Sequence, residues 1–262
     1  MSENVTSKDG TQIDVERSGG GPPVVLVSGG SVDRTSNAGL AEHLAEHFTV
    51  LNYDRRGRGS SGDTAPYAVE REIEDIAAVI ESAGGSAALY GSSSGAVLAF
   101  EAAARGVAVS KLVMWEPPWM ADDTAPFPPP DTASTYERLV AEGRRGDAVE
   151  FFMAKVVGLP PEFVGYARSQ PWWEGQEKIA HTLAYDAYVM KTYHLPREYV
   201  ATVTTPTLVL AGGASPDWMQ TTARTVAELM PNGRFGRLEG QQHNVDAAAL
   251  APPMAEFLRS SQ

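Results

Sequence analysis

Cysteine is absent from the 262 residues, which removes disulfides, thiolate nucleophiles and cysteine metal ligands from consideration. A basic surplus is absent as well: 21 Lys and Arg stand against 33 Asp and Glu, for a formal charge of −12. Nucleic-acid binding needs a basic surface for phosphate contacts, so no nucleic-acid partner is expected, and the acidity reads as a solubility feature. No apolar run reaches the length that crosses a bilayer, and no membrane association is expected. Met1 to Asp9 lack the basic start and apolar core of a secretory leader, which leads to the expectation of a cytoplasmic protein. There is no repeat of fixed period, no Walker or dinucleotide glycine pattern, and no His/Asp/Glu cluster at metal-ligand spacing. No metal and no cofactor are therefore expected.

What is present is an alternation. A hairpin opens the chain: Val5 to Lys8, an Asp9-Gly10 turn, then Thr11 to Glu16. Val24-Val25-Leu26-Val27 is a short continuous apolar run, typical of a strand buried on both faces. A helical stretch with Leu40, Leu44 and Phe48 on one face follows, then a strand over Phe48 to Tyr53. Val69, Ile73, Ile76, Ala77 and Ile80 recur at helical spacing up to Ser82, and Gly84 stops that helix. A strand at Ala87-Ala88-Leu89-Tyr90, a helix to Gly106 and a strand at Lys111 to Glu116 continue the rhythm. Strands and helices alternating in this way imply right-handed crossovers and a mostly parallel sheet.

Near Pro117 the alternation stops. Up to Glu198 the chain reads as short helices broken by Pro128-Pro129-Pro130, Gly146, Pro160-Pro161 and Pro171. The sheet resumes at Thr207 to Leu210, followed by a helix over Thr221 to Met230, a strand over Arg234 to Leu238 and a helix over Ala247 to Leu258. Residues 1–116 and 199–262 thus form an α/β core, and residues 117–198 an inserted helical cap.

The most informative local pattern is Gly91-Ser92-Ser93-Ser94-Gly95, set between a buried strand and a helix. This is the context of a G-x-S-x-G nucleophile elbow. Only Ser93 has glycine two residues before and two after it, where bulk would keep strand and helix apart. A glycine-rich loop with no chemistry would give the same five letters, so the surrounding pieces must decide.

Those pieces resemble the α/β-hydrolase fold superfamily, and specifically its capped, esterase-like serine hydrolases, including small actinobacterial-type members. The resemblance rests on Val24 to Ser31, on Asp54-Arg55-Arg56-Gly57-Arg58-Gly59-Ser60, on the elbow, on the helical insertion, and on Gln241-Gln242-His243 after the last strand. It implies the α/β-hydrolase fold, with a mostly parallel central sheet flanked by helices. It further implies a Ser–acid–His order along the chain. Two departures flank the expected site: Ser28 and Ser92 stand where the family often has histidine. A third concerns the acid, because Ser215 occupies the family's usual aspartate position.

Serine needs an adjacent base to act as a nucleophile. Of the five histidines, His43 and His47 lie on an early helix and read as surface residues, and His181 and His194 read as structural members of the cap. His243, in the loop after the last strand, is at the carboxyl edge of the sheet and is the expected base. Two carboxylates compete to orient it. Glu116 ends the strand after the elbow helix, a place from which some family members draw their acid. Asp217 lies two residues past the usual position and would need a reshaped loop. Glu116 is preferred, because a carboxylate buried there without a partner would be costly.

The resemblance places the oxyanion hole at the backbone N–H groups of Gly30 and Ser94. Ser31 could add a hydroxyl. The Asp54 to Ser60 stretch reads as structural, with turn glycines and an Asp–Arg pair that hold the surrounding loops. All five tryptophans lie in or near the insertion or the late acid loop. Trp119 and Trp218 flank the two candidate acids and are the first expected substrate contacts. Basic residues are sparse in the insertion, which points to an uncharged or weakly charged, apolar small molecule as substrate. The expectation is therefore a serine hydrolase of esters, thioesters or related carbonyl compounds. A cofactor-free carbon–carbon hydrolase, lyase or cyclase, a perhydrolase, and a receptor-like ligand binder are the alternatives on the same fold. Substrate identity and oligomeric state are not readable from the residues.

Overall fold

The computed structural model describes residues 2–123 and 126–260. The opening hairpin is β1 (Ser2–Thr6) and β2 (Gln12–Gly19), followed by β3 (Pro23–Val27), helix α1 (Ala38–Leu44), β4 (Thr49–Tyr53), α2 (Val69–Ser82), β5 (Ala87–Ser92), α3 (Ser94–Ala104) and β6 (Val109–Trp115). These strands and two more make an eight-stranded sheet in the order β1-β2-β4-β3-β5-β6-β7-β8, where β7 is Thr207–Gly212 and β8 is Gly233–Leu238. β1 pairs antiparallel with β2, and β2 antiparallel with β4; the other five pairings, from β4–β3 to β7–β8, are parallel.

Between β6 and β7 lie α4 (Thr132–Ala141), α5 (Arg145–Phe151), α6 (Pro161–Arg168), α7 (Trp173–Lys178), α8 (Thr182–Met190) and α9 (Arg197–Val200), with no strand among the described residues. α10 (Asp217–Leu229) links β7 to β8, and α11 (Ala247–Arg259) closes the fold. α10 starts four residues earlier than the apolar spacing predicts, because Pro216 sets the entry and Asp217 occupies the first turn.

The strand pattern explains the layering. Alternate residues of β3, β5, β6 and β7 point to opposite faces. Val25, Val27, Leu89, Met114 and Val209 pack against α2, α3 and α10. Val24, Leu26, Ala88, Tyr90, Val113, Trp115 and Leu210 pack against α1 and α11. Each such fully buried aliphatic side chain contributes about 1.5–3 kcal/mol over leaving it exposed. The helices of the insertion carry their own apolar cluster, centred on Tyr136, Leu139, Val149, Val164, Trp173 and Leu183.

Register then fixes the working edge. Val27 pairs with Gly91, Ser92 with Trp115, and Trp115 with Leu210. The carboxyl ends of four neighbouring parallel strands therefore stop level with one another. The loop at Ser28 to Ser31, the elbow at Ser93, Glu116 and Gly212 are delivered side by side.

Candidate active site

Ser93 has φ 54° and ψ −128°, a left-handed backbone that a non-glycine residue adopts only when its surroundings impose it. Its N–H donates to the Trp115 carbonyl at 2.9 Å, which holds the turn against the neighbouring strand. The flanking glycines are forced by approach. A Cβ on Gly91 would run into the Gly95 carbonyl oxygen and lie 2.6 Å from Ala96 Cα. A Cβ on Gly95 would strike the carbonyl oxygen of Ser28 and lie 2.6 Å from that of Val27. Ser94 opens helix α3, where the first N–H groups have no intrahelical partner and carry the positive end of the helix dipole. Gly30 is beside it: a Cβ there would sit 3.5 Å from Ser94 Oγ.

His243 Nδ1 lies 2.7 Å from Glu116 Oε2. Glu116 is fully buried, and its other oxygen accepts from the Gly212 N–H at 2.8 Å. A carboxylate facing Nδ1 selects the tautomer with the proton on that nitrogen and leaves Nε2 as an acceptor. The adjacent Trp115 adds a second tie, its Nε1–H donating to the His243 carbonyl at 2.9 Å. One strand end thus holds both the ring and the backbone of His243. Glu116 has φ 43°, so the backbone that aims this carboxylate is itself in the left-handed region.

Asp217, the other candidate acid, is exposed on the first turn of α10, where a negative charge favours the helix N-terminus. Ser215 is buried, and its hydroxyl has no hydrogen-bond partner among the described residues. Trp119 is 3% exposed and packs edge-on against Phe100, ring centroids 5.2 Å apart, so its contacts are those of a core residue. Trp218 is half-buried on α10. Ser31 is buried with φ 59°, and its hydroxyl donates to Gln176 Oε1 of α7.

The other histidines have places of their own. His181 Nε2 is 3.3 Å from Asp63 Oδ2, His194 packs tilted against Phe127 with ring centroids 4.4 Å apart, and His43 and His47 line a surface groove between α1 and α11. Among the described residues no group of three or more His, Asp or Glu could hold a metal ion, and no helix is long and apolar enough to cross a membrane.

The arginine-rich loop is a buried ion-pair hub. Arg55 forks onto Glu72 with two bonds of 2.7 Å, and Arg56 does the same with Asp75. Asp54 forms its ion pair with Arg34, 20 residues earlier, at 2.7 Å, and within its own loop accepts from the Ser60 N–H at 2.9 Å. Arg58 reaches Asp186 of α8 at 2.7 Å, and Arg55 reaches the same carboxylate at 2.8 Å. Burial opposes ionisation of Asp186, but Arg58, Arg55 and the Ser94 hydroxyl outweigh it and hold the carboxyl below its ordinary 3.8.

Asp186 and Gln176 are site neighbours that the sequence reading passed over. Asp186 had a legible signal. It is the lone charge in Thr182 to Met190, and a carboxylate in so apolar a helix demands a partner.

A sequence model described as the Alpha/beta hydrolase family matches residues 24–255. The chain belongs to that family. The fold agrees: an alpha/beta hydrolase from Sphaerobacter thermophilus DSM 20745 is 52% identical, with 97% of this chain and 99% of that one covered at a TM-score of 0.92. A thermophilic esterase from Thermogutta terrifontis shares the architecture at 23% identity, with 99% of this chain and 98% of that one covered at a TM-score of 0.75. The uncharacterized hydrolase YraK of Bacillus subtilis strain 168 is 35% identical over 96 residues. That match spans 35% of this chain and 35% of the relative's own length. Family membership and the 52%-identical alpha/beta hydrolase support an enzyme of the hydrolase class.

Proposed function

We propose that the protein is a serine hydrolase that cleaves an ester, thioester or related carbonyl bond of a small, largely apolar substrate through an acyl-enzyme. The observation that carries this reading is the 2.7 Å contact between His243 Nδ1 and the buried Glu116 carboxylate, at a sheet edge that also presents Ser93 on a strained elbow.

In this mechanism Ser93 Oγ attacks the carbonyl carbon while His243 Nε2 takes its proton. Glu116 keeps the proton on Nδ1 and stabilises the imidazolium that forms. The N–H groups of Gly30 and Ser94 receive the developing oxyanion, and a donor of this kind is worth about 10²–10³-fold in kcat. His243 then protonates the departing alcohol or thiol, and a water activated by the same ring releases the acid. We further propose that residues 117–198 act as a helical cap over the core formed by 1–116 and 199–262. The esterase among the structural neighbours is in keeping with an ester substrate.

A receptor-like ligand binder rests on the missing aspartate at position 215, and a carboxylate supplied by Glu116 removes that ground. The test is intact-mass measurement after treatment with a fluorophosphonate. One label on the parent and none on Ser93→Ala is the expected result. An unlabelled parent overturns the reading.

A further inference from the structure

The oxyanion hole proposed above has two halves on separate elements: Gly30 on the loop after β3, and Ser94 at the start of α3. Both are tied to one carboxylate that comes from neither element. Asp186 Oδ1 accepts from the Ser94 hydroxyl at 2.8 Å and from Arg55 Nη1 at 2.8 Å, and Oδ2 accepts from Arg58 Nη2 at 2.7 Å. The same two guanidiniums grip the Gly30 loop. Arg55 Nη1 donates to the Ser28 carbonyl at 3.3 Å, and Arg58 Nη1 donates to the carbonyls of Gly29 and, at 3.2 Å, Val32. A Cβ added to Gly30 would come 3.2 Å from Asp186 Oδ2, so loop and carboxylate are in van der Waals register.

Asp186 is on α8, within the insertion, 92 residues from Ser94 and 128 from Arg58. The loop has a second bond to the insertion through Ser31 and Gln176 of α7. A carboxylate alone behind an oxyanion hole would oppose the developing negative charge. Here two fully buried guanidiniums neutralise it, and Arg55 is balanced in turn by Glu72. The cluster is therefore a neutral clamp, and its output is position.

We propose that Asp186 is a positioning residue for catalysis: seated from the cap, it fixes Ser94 and the Gly30 loop relative to each other, so that the oxyanion hole is complete only when α8 is docked. The proposal rests on the serine-hydrolase reading. It acts on the transition state through two backbone N–H groups, so its loss should slow bond formation at Ser93 and leave ground-state binding unchanged. Displacement of reacting groups by about 1 Å costs about 10²-fold in rate.

The test is the kinetics of fluorophosphonate labelling, resolved into a binding constant (KI) and a maximal rate (kinact), on the parent, Asp186→Asn, Ser94→Ala and the double variant. Circular dichroism and Tm confirm that each is folded at the assay temperature. Asp186→Asn should lower kinact about 100-fold, and Ser94→Ala about 10-fold, both with unchanged KI. The double variant should match Asp186→Asn alone, because the hydroxyl acts through the carboxylate. Should Asp186→Asn fail to fold, Ser94→Ala decides the matter alone, since it removes a hydroxyl and no charge. A parent that labels while Ser94→Ala, or a folded Asp186→Asn, keeps the parental kinact overturns the clamp and leaves the serine-hydrolase reading standing. A parent that does not label at Ser93 overturns both.

Discussion

Glu116→Gln is the perturbation whose outcome the geometry dictates most fully. The side chain is fully buried and nearly isosteric with glutamine, so packing is preserved. Its two oxygens have different duties: Oε1 accepts from the Gly212 N–H at 2.8 Å, and Oε2 faces His243 Nδ1 at 2.7 Å. An amide has one acceptor and one donor end. Turning the NH₂ toward Gly212 would set donor against donor in a dry site, at a cost of about 1–3 kcal/mol. The amide must therefore keep its oxygen on Gly212 and present NH₂ to the imidazole. Nδ1 then becomes the acceptor, the ring proton moves to Nε2, and the nitrogen that should take the Ser93 proton is already protonated. A wrong tautomer of this kind costs about 10⁴-fold in kcat, or about 5 kcal/mol of transition-state stabilisation. Stability should fall by only about 1 kcal/mol, because one neutral bond replaces a charge-assisted one. The assay is hydrolysis of p-nitrophenyl butyrate with Tm measured in parallel, and Asp217→Asn as the comparison. Asp217→Asn should stay within about twofold of the parent, since exposed changes of this type are near neutral. A large loss in Asp217→Asn with Glu116→Gln within tenfold of the parent refutes the reasoning.

Three further outcomes follow from single contacts. Trp115→Phe keeps an aromatic ring but loses the 2.9 Å bond to the His243 carbonyl; kcat should fall about tenfold with a stability loss of about 1–2 kcal/mol, read by steady-state kinetics and urea unfolding. Gly95→Ala gains about 0.5–1 kcal/mol of helix propensity. Its Cβ would drive into the Ser28 carbonyl, an overpacking cost of up to about 3 kcal/mol. The clash wins, and Tm should drop by about 5 °C, whereas an unchanged Tm would contradict the close approach. Asp186 has its carboxyl held below 3.8 in the folded chain, so its contribution is present above that value and lost as pH falls through the folded one. The stability difference between the parent and Asp186→Asn should therefore be constant, at about 3 kcal/mol, above pH ~5. It should shrink only below pH ~4. A difference that already shrinks between pH 7 and 5 would contradict the buried pairing.

Much of this architecture is legible in the residues because the core strands are short continuous apolar runs. The helix read over Val69 to Ser82 coincides with α2, whose apolar stripe is regular and whose end is marked by glycine. Helix α10 begins at Asp217 and not at Thr221, because its first turn is set by Pro216 and not by apolar spacing. The site divides in the same way. Ser93 and its glycines announce themselves through local geometry, since both glycines are forced by approach within one strand–turn–helix unit. Glu116 against Asp217 could only be weighed, because which carboxylate meets His243 is decided by strand register 127 residues away. The carboxylate partners of Arg55, Arg56 and Arg58 are separated from them by 17 to 131 residues, and no local pattern encodes such pairings. Trp119 is singled out in the sequence because it flanks a candidate acid, a ground that says nothing of how the ring packs; in the structure the ring lies edge-on to Phe100, as buried aromatic pairs commonly do.

The central claim, covalent catalysis by Ser93, is met most directly by trapping the intermediate. The protein is mixed with p-nitrophenyl acetate, quenched in acid within the first turnover, and weighed intact and after digestion. The account predicts one acetyl group per chain on the peptide that carries Ser93, and none in Ser93→Ala. Turnover of the ester by Ser93→Ala at the parental rate, or an acetyl group found on another residue, would contradict it.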